Sequence, residues 1–299
     1  MNAEFAANPD PVDSFERHRR RLWGIAYRML GSRAEADDMV QEAWLRWDRA
    51  ATDEIRAPEA WLVTATTRLC IDRLRQLQTE RAAYEGPWLP EPLALEAAPA
   101  SDQASELASD LSVAFLALLE RLAPEERAAF LLREVFDSDY DDIAQTLGKS
   151  EAACRQIVSR ARKRVRADRP RVQVSAAARS SLLRGLVQAI QAQDQAALVN
   201  LLARDATWTS DGGGKAKAAK KVMHGGELIA RFVHGVFRHD LRSLEFRLVS
   251  VNREAAIAVF HAGRLLSVMT IRTDGRRILD VYAILNPDKL QGLELHAQP

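Results

Sequence analysis

One glycine, Gly148, lies between two short stretches whose apolar residues repeat at helical spacing. The surrounding segment, residues 137–166, reads DSDYDDIAQTLGKSEAACRQIVSRARKRVR. Asp139 is placed to cap the first helix and Ser150 the second, and glycine commonly ends a helix. The pattern predicts a helix-turn-helix, and Pro124 near the start of APEERAAFLLREVF predicts a supporting helix before it. The apolar residues are Ile143 and Leu147 before the glycine, and Ala153, Ile157 and Ala161 after it.

The second of these helices carries a strong local positive charge. The whole chain has a net charge of +1, yet residues 149–171 hold nine basic side chains against two acids, Glu151 and Asp168. A basic second helix is typical of a helix-turn-helix that enters the major groove of DNA. An ordinary helical hairpin with a solvated basic face is the alternative. The basic residues are Lys149, Arg155, Arg160, Arg162, Lys163, Arg164, Arg166, Arg169 and Arg171.

The N-terminal third predicts a second helical region. The segment GSRAEADDMVQEAWLRW has Ser32 and Glu35 at the spacing of a capping box. Its apolar stripe is Met39, Ala43 and Trp47. The opposite face is predicted to be an exposed acidic patch of Asp37, Asp38, Gln41 and Glu42.

A long helix is predicted next, in APEAWLVTATTRLCIDRLRQLQTER, with Pro58 near its start. Leu62, Leu69 and Leu74 are expected to pack inward. On the outer surface, basic side chains lie near an aromatic one, and such a surface suits single-stranded or melted nucleic acid because bases stack on rings while guanidinium groups pair with phosphates. These outer residues are Trp61, Arg68, Arg73 and Arg75.

The two helical regions are joined by YEGPWLPEPLALEAAPASDQASE, in which four prolines forbid a continuous helix. We expect an extended linker. Trp88, Leu89 and Leu93 are residues of the type that is usually buried, so something is expected to cover them. The prolines are Pro87, Pro90, Pro92 and Pro99.

The last part of the chain predicts an α+β domain. It opens with SLLRGLVQAIQAQDQAALVNLLA as one amphipathic helix and contains a second helix, GGELIARFVHGVFR. Four β-like runs follow, SLEFRLVSVN, AAIAVFHA, LLSVMTIRT and RILDVYAIL, with turn signals between them. Helices followed by a meander of long strands indicate a cone in which a curved sheet wraps the helices.

The order DDMVQEAW, WLVTATTRLCIDRLR and then the helix-turn-helix resembles the extracytoplasmic-function (ECF) sigma factors of the sigma-70 family, the promoter-specificity subunits of bacterial RNA polymerase. The resemblance implies sigma region 2 at residues 12–81, a linker at 82–109 and sigma region 4 at 110–169. It implies core RNA polymerase, through its β′ coiled coil and β flap, and promoter DNA as partners.

The same resemblance implies a role for each set of residues. The acidic patch would contact the β′ coiled coil. The minus-ten element would be melted and its non-template strand held by Trp61, Arg68, Asp72, Arg73 and Arg75. The minus-thirty-five element would be read by Arg155, Gln156, Ser159 and Arg160, with Arg162, Lys163 and Arg164 mainly on phosphates. The family often has Ile-Ala-Arg-Asn where this chain has Ala65–Arg68, and arginine where it has Ile157, so a promoter sequence does not transfer.

Residues 175–299 resemble the SnoaL-like branch of the NTF2-like superfamily. Together with WLPEP, DGGGK and NPDKL, this is similar to the SigJ-like subgroup of sigma factors, which carries a fused SnoaL-like domain. The resemblance implies that the domain modulates the sigma regions. We expect a flexible loop at Asp211–Lys215, with Gly212, Gly213 and Gly214, in which Lys215 reaches across the domain boundary. The proposed contact partners are Trp88, Leu89, Pro90, Glu91 and Pro92, and Asn286, Pro287, Asp288, Lys289 and Leu290.

Two features of the last domain allow other functions. In SDGGGKAKAAKK, Lys215 directly follows three glycines, as a lysine does in a phosphate loop. The next residue of such a loop is Ser or Thr, but here it is Ala216, so nucleotide binding is not expected. An isomerase- or hydrolase-type activity or a small-molecule ligand in the last domain is the alternative. Its acid–base candidates are Asp211, His224, His234, His261 and Asp280.

Composition limits the remaining classes. With 299 residues and 47% apolar content, two or three domains are expected. No segment has the length of a membrane span or the apolar core of a secretion signal, so we expect a cytoplasmic protein without membrane contact. The resemblance to sigma factors implies a non-enzymatic protein without a cofactor, and no Cys or His lies at metal-ligand spacing from either cysteine, so no metal is expected. The two cysteines, Cys70 and Cys154, are expected to be reduced packing residues.

Overall fold

The computed structural model describes residues 11–50, 55–94, 111–167, 174–238 and 241–293. Arg169, Arg171, Pro99 and linker residues 95–109 lie outside these ranges. The chain divides into two compact units. The first contains the described residues of Met1–Glu80 and Leu119–Ala167, and the second contains those of Arg81–Leu118 and Asp168–Pro299.

The first unit is helical. Its core contains the fully buried Trp47 and Leu62, and both cysteines are buried free thiols, as predicted. The predicted inward residues Leu69 and Leu74 are also buried. Its helices are α1 (Pro11–Leu30), α2 (Arg33–Asp48), α3 (Pro58–Ala82), α5 (Pro124–Glu134), α6 (Tyr140–Leu147) and α7 (Glu151–Ala167); α4 (Val113–Leu119) lies before α5 in the chain.

The start of α2 differs from the prediction. Ser32 is the N-cap residue, but its side chain makes no capping hydrogen bond. Glu35 instead accepts two hydrogen bonds of 2.7 Å from the Arg73 guanidinium. A bidentate charged pair is stronger than a bond to one backbone N–H, so the predicted capping box is wrong.

The helix-turn-helix forms where it was predicted. Gly148 ends α6 with φ of +63°, a conformation that glycine adopts without steric cost. The Ser150 hydroxyl accepts a 3.2 Å hydrogen bond from Ala153 N and so caps α7. Asp139 precedes α6 without a side-chain capping bond. The buried side of α7 consists of Cys154, Ile157, Val158, Ala161 and Val165.

The second unit is built around a six-stranded mixed sheet. Its order is β2-β1-β6-β5-β4-β3, with β1 and β6 parallel and the other pairs antiparallel. The four predicted strands are present; β1 contains ATWTS, a segment before the glycines that the sequence allows as a strand, and β2 was not predicted. The bounds are β1 Leu202–Asp211, β2 Met223–His224, β3 Leu244–Val251, β4 Glu254–His261, β5 Arg264–Thr273 and β6 Ile278–Ile284.

Three helices of this unit, those between Ala176 and Phe237, pack on one face of the sheet. The first predicted helix is in fact two, because Gln193 has a φ of +54° and Asp194 caps a new helix by accepting a 2.9 Å bond from Ala197 N. Helical regions followed by an α+β cone were the predicted fold class, and this is confirmed. The helices are α8 (Ala176–Gln191), α9 (Gln195–Leu201), α10 (Gly226–Phe237) and α11 (Pro287–Leu290).

The opposite face of the sheet is covered by the linker residue Leu89, by helix α4 and by Leu290 of α11. Leu89, Val113 and Ala114 belong to the same buried cluster as Val249, Ile284 and other side chains of β3–β6. Burial of a leucine-sized side chain stabilises the fold by roughly 2 kcal/mol. The linker is therefore part of the core of the second unit.

Candidate nucleic-acid interface and linker site

One face of α7 is exposed and polar. Gln156, Ser159, Arg160 and Lys163 are all exposed, and their spacing of three, four and seven residues places them on one side of the helix. Such a side can face base edges and phosphates together. Four of the seven predicted α7 residues therefore share one accessible surface.

The other three predicted residues of α7 are held by carboxylates. Arg155 pairs with Glu151 at 2.6 Å and lies over the Tyr140 ring, 4.4 Å from its centroid. Arg162 binds Glu134 at 2.6 Å, and Arg164 binds Glu126, also at 2.6 Å.

The α3 residues predicted to hold DNA lie among partners in the first unit. The Trp61 ring is 5.4 Å from the Trp47 ring. The Arg68 guanidinium donates to the backbone oxygens of Thr146 at 2.9 Å and Gln145 at 2.7 Å.

Three further α3 residues form ion pairs. Arg73 binds Glu35 and Glu80, and the hydrogen bonds to these two carboxylates raise the pKa of the Arg73 guanidinium above its ordinary value. Arg75 pairs with Asp72 at 2.8 Å and with Glu125 at 2.9 Å.

The predicted acidic patch on α2 is accessible. Asp37, Asp38 and Gln41 are exposed and Glu42 is partly exposed. Asp37 accepts a 2.7 Å bond from Trp23 Nε1, and Glu42 pairs with Arg46. These four residues form an accessible, mainly acidic surface.

In the second unit, Asp211 is the centre of a buried polar site. Its carboxylate has no exposed surface. It accepts hydrogen bonds from Tyr84 Oη at 2.6 Å, from Leu89 N at 2.8 Å and from Lys289 Nζ at 2.7 Å. We call these four residues the linker latch, because two belong to the linker and two to the C-terminal domain.

The linker latch is reinforced around Lys289. Its ammonium group also donates to the Leu89 backbone oxygen and lies 4.0 Å from the centroid of the Trp88 ring. Arg81 lies over the same ring at 3.6 Å. Burial, followed by the hydrogen bond to Asp211, raises the pKa of Tyr84, so its phenol stays a donor.

The three glycines form a close-packed turn beside the linker latch. Gly213 has a φ of +58°, and a Cβ there would lie 2.3 Å from Asn286 Nδ2 and 2.8 Å from Tyr84 Oη. At Gly214, with φ of +70°, a Cβ would lie 2.9 Å from Glu85 Oε2. Glycine is needed here because the backbone approaches the linker so closely.

The predicted partner of Lys215 is corrected. Its ammonium group pairs with Asp288 of the NPDKL segment, within the same domain, and not with the linker. Lys289 and Lys220 reach the linker instead, and Lys220 pairs with Glu85 at 2.7 Å. Lys215 was the obvious candidate because it lies beside the glycines, whereas Lys289 is brought to the site by the short helix α11, which Asn286 caps.

The WLPEP segment is buried where predicted. Leu89, Pro90, Glu91 and Pro92 are buried, and Trp88 is partly buried. In NPDKL, Leu290 is buried and Pro287 is partly buried.

Sequence reasoning missed two residues, Tyr84 and Asn252. Asn252 is fully buried; its Oδ1 accepts from Leu93 N and its Nδ2 donates to Leu111 O, both at 2.8 Å. From the sequence, Asn252 was predicted only as one of the turn residues between the β-like runs. Its positive φ of 52° is typical of a turn. Its hydrogen bonds to Leu93 in the linker and to Leu111, two residues beyond the linker, depend on the tertiary structure.

Most acid–base candidates of the enzyme alternative are either held by other partners or exposed. Asp211 is bound by Tyr84 and Leu89 of the linker, and Asp280 is bound by Arg272 and Thr207. His234 lies in α10 and is partly buried. His224 and His261 are exposed. Among the described residues there is no group of three His, Cys, Asp or Glu side chains suited to a metal ion. Nor is any described helix both long and apolar enough to cross a membrane.

Comparison with known proteins agrees with this arrangement. Residues 14–80 match the family model Sigma-70 region 2, and residues 112–165 match Sigma-70, region 4. The chain is 37% identical to the ECF RNA polymerase sigma factor SigJ of Mycobacterium tuberculosis over 96% of both chains. It is 28% identical to the probable ECF RNA polymerase sigma factor SigI of the same species, over 95% of this chain and 96% of the relative.

A solved structure extends the likeness to the whole fold. The crystal structure of the M. tuberculosis extracytoplasmic function sigma factor SigJ superposes with a TM-score of 0.74 at 34% identity, covering 95% of this chain and 100% of that one. The helix-turn-helix, the long helix α3 and the fused sheet domain are thus shared with a relative over almost the full length. The chain belongs to the extracytoplasmic-function RNA polymerase sigma factors, which direct core RNA polymerase to promoter DNA.

Proposed function

We propose that α7 reads the minus-thirty-five element through its exposed face. Arg160 is suited to a guanine edge and Gln156 to an adenine edge. Ser159 and Lys163 lie beside them, and Lys163 meets a phosphate. Arg155, Arg162 and Arg164 contribute phosphate contacts after exchanging their carboxylate partners for DNA.

We further propose that α3 holds the melted minus-ten strand. Trp61 offers a ring for stacking, and Arg68 and Arg75 offer guanidinium groups for phosphates. Asp72 orients Arg75, and Arg73 fixes α3 to α2 through Glu35. On the adjoining helix α2, the patch of Asp37, Asp38, Gln41 and Glu42 docks on the β′ coiled coil, and region 4 docks on the β flap.

The C-terminal domain is proposed to restrain initiation by sequestering the linker. The observation that carries this is the linker latch, in which the buried Asp211 carboxylate binds Leu89 N, Tyr84 and Lys289. Sigma regions that engage two promoter elements at once need the segment between them to extend. A linker packed into the C-terminal domain has to leave it first, so the domain acts as a built-in inhibitor without chemistry of its own.

The test is run-off transcription with core polymerase and the DNA upstream of the chain's own gene. The full chain is compared with a form ending after Arg171. Both forms are expected to give the same transcript, and the shorter form is expected to give more of it. Equal or lower activity of the shorter form contradicts the restraint, and no transcript from either form contradicts promoter recognition.

A further inference from the structure

Region 4 packs directly on the face of α3 that is assigned to the melted strand. The Thr64 and Thr146 hydroxyls are 3.0 Å apart. One turn further along α3, Arg68 donates to the backbone oxygens of Gln145 and Thr146. Two turns further still, Arg75 pairs with Glu125 at the start of α5.

The acceptors that region 4 offers resemble those of nucleic acid. Gln145 O and Thr146 O lie in the last turn of α6, where backbone carbonyls lack helical partners and carry the negative end of the helix dipole. Two adjacent oxygens of partial negative charge meet one guanidinium group, as two phosphate oxygens would. The Glu125 carboxylate offers Arg75 the same kind of partner.

The packed face of α3 is imperfectly satisfied. Thr67 lies on the same helical side as Thr64 and Arg68, and its hydroxyl is buried without a hydrogen-bond partner among the described residues. The ion pair between Arg75 and Glu125 is exposed, with 53% and 36% of the side-chain surfaces accessible. Exposed pairs contribute little and are screened by salt, so this contact is able to open.

We propose that region 4 is an internal competitor of the minus-ten strand, held on α3 by Thr146, the α6 carboxyl end and Glu125. The inference rests on the proposed function of α3 as the strand-binding helix. Its consequence is selective, because the contact occupies Arg68 and Arg75 but leaves Gln156, Arg160 and Lys163 on α7 exposed. The closed form binds duplex DNA through α7 and does not hold single-stranded DNA on α3.

The contact is tested by locking it with a disulfide. The Thr64→Cys/Thr146→Cys variant places two thiols where the hydroxyls touch, and the native Cys70 and Cys154 are buried and do not compete. The full chain is assayed oxidised and reduced, by anisotropy with a labelled single-stranded mixed-sequence 20-mer and a duplex of the same length, and by run-off transcription. Thr64→Cys alone is the control for the oxidant.

Oxidation is expected to weaken single-strand binding at least tenfold, abolish the transcript and change duplex binding less than twofold, all reversed by reductant. Failure of the two thiols to cross-link, or an oxidised form as active as the reduced one, overturns the competitor. If neither the wild-type chain nor the reduced variant gives a transcript, the assignment of α3 to the melted strand is overturned, and the proposed competition with it.

Glu125→Gln gives an independent check. It removes the ion pair between Glu125 and Arg75, so single-strand binding is expected to become two- to threefold stronger. Unchanged binding contradicts the role of Glu125.

Discussion

The ammonium group of Lys289 lies 2.7 Å from Asp211 Oδ2, and the Asp211 carboxylate is completely buried. Lys289→Met leaves that carboxylate without its charged partner. We expect the free energy of unfolding of the second unit to fall by about 3–5 kcal/mol, the usual cost of an uncompensated buried charge. Urea unfolding followed by circular dichroism measures the change.

Lys215→Met is the matched control for this loss of charge. Lys215 pairs with Asp288, but more than half of each side chain is exposed, so a change below about 1 kcal/mol is expected. Asp211→Asn in the Lys289→Met background removes the stranded charge and is expected to recover part of the loss. Equal effects of the two lysine substitutions contradict a special role for Lys289.

The glycine turn is expected to be intolerant of any side chain. Gly213→Ala places a methyl group against Asn286 and Tyr84 in a backbone conformation of positive φ. We expect a lower melting temperature and faster proteolysis between residues 84 and 94. Gly235→Ala is the control, because a Cβ added there meets no atom within 4 Å apart from the backbone of its own helix. Alanine is also more favourable than glycine within a helix, by roughly 0.5–1 kcal/mol.

Substitutions of two α7 residues are expected to change DNA binding in different ways. Arg160→Ala should weaken binding to the preferred minus-thirty-five sequence by about 1–3 kcal/mol and relax specificity at one position. Lys163→Ala should weaken binding to all sequences alike and lower the salt slope by about 1. Binding measured against a library of duplexes at several salt concentrations separates the two, and a shared uniform loss would show that Arg160 meets only phosphate.

The C-terminal domain is expected to lose stability as the pH rises. Burial raises the pKa of Glu254 from 4.5 to about 7, although Arg179 lies 2.6 Å away and opposes the shift. The native state therefore holds its proton more tightly than the unfolded state, and stability is lost between about pH 4.5 and 7, by roughly 3 kcal/mol at most. Glu254→Gln cannot ionise, so its melting temperature relative to wild type should rise from pH 5 to pH 7.5; parallel curves would contradict the shift.

The sequence predicted the parts of the fold that depend on local signals. Gly148 ends α6 and Ser150 caps α7 through contacts within four residues, and these are readable from the chain. The split between α8 and α9 was missed because the apolar pattern continues across Gln193. Strand β1 was anticipated only in part, at ATWTS, because its parallel partner, β6, lies about seventy residues further along the chain.

The linker site was only partly predictable for the same physical reason. WLPEP, DGGGK and NPDKL were singled out, but the hydrogen bonds at this site join residues as far as 202 positions apart, as between Tyr84 and Asn286. No local pattern marks Tyr84 as the donor to Asp211. Nor does any pattern show that Lys289, and not Lys215, reaches the linker.

The central claim is that the linker latch restrains a sigma factor, and one measurement tests it most directly. Run-off transcription with core polymerase and the DNA upstream of the chain's own gene is compared for wild type, Lys289→Met and Lys215→Met. The expected result is the same start site for all three, with at least fivefold more transcript from Lys289→Met and no change for Lys215→Met. Equal transcript from Lys289→Met and wild type, with the linker shown by proteolysis to be released, would contradict it.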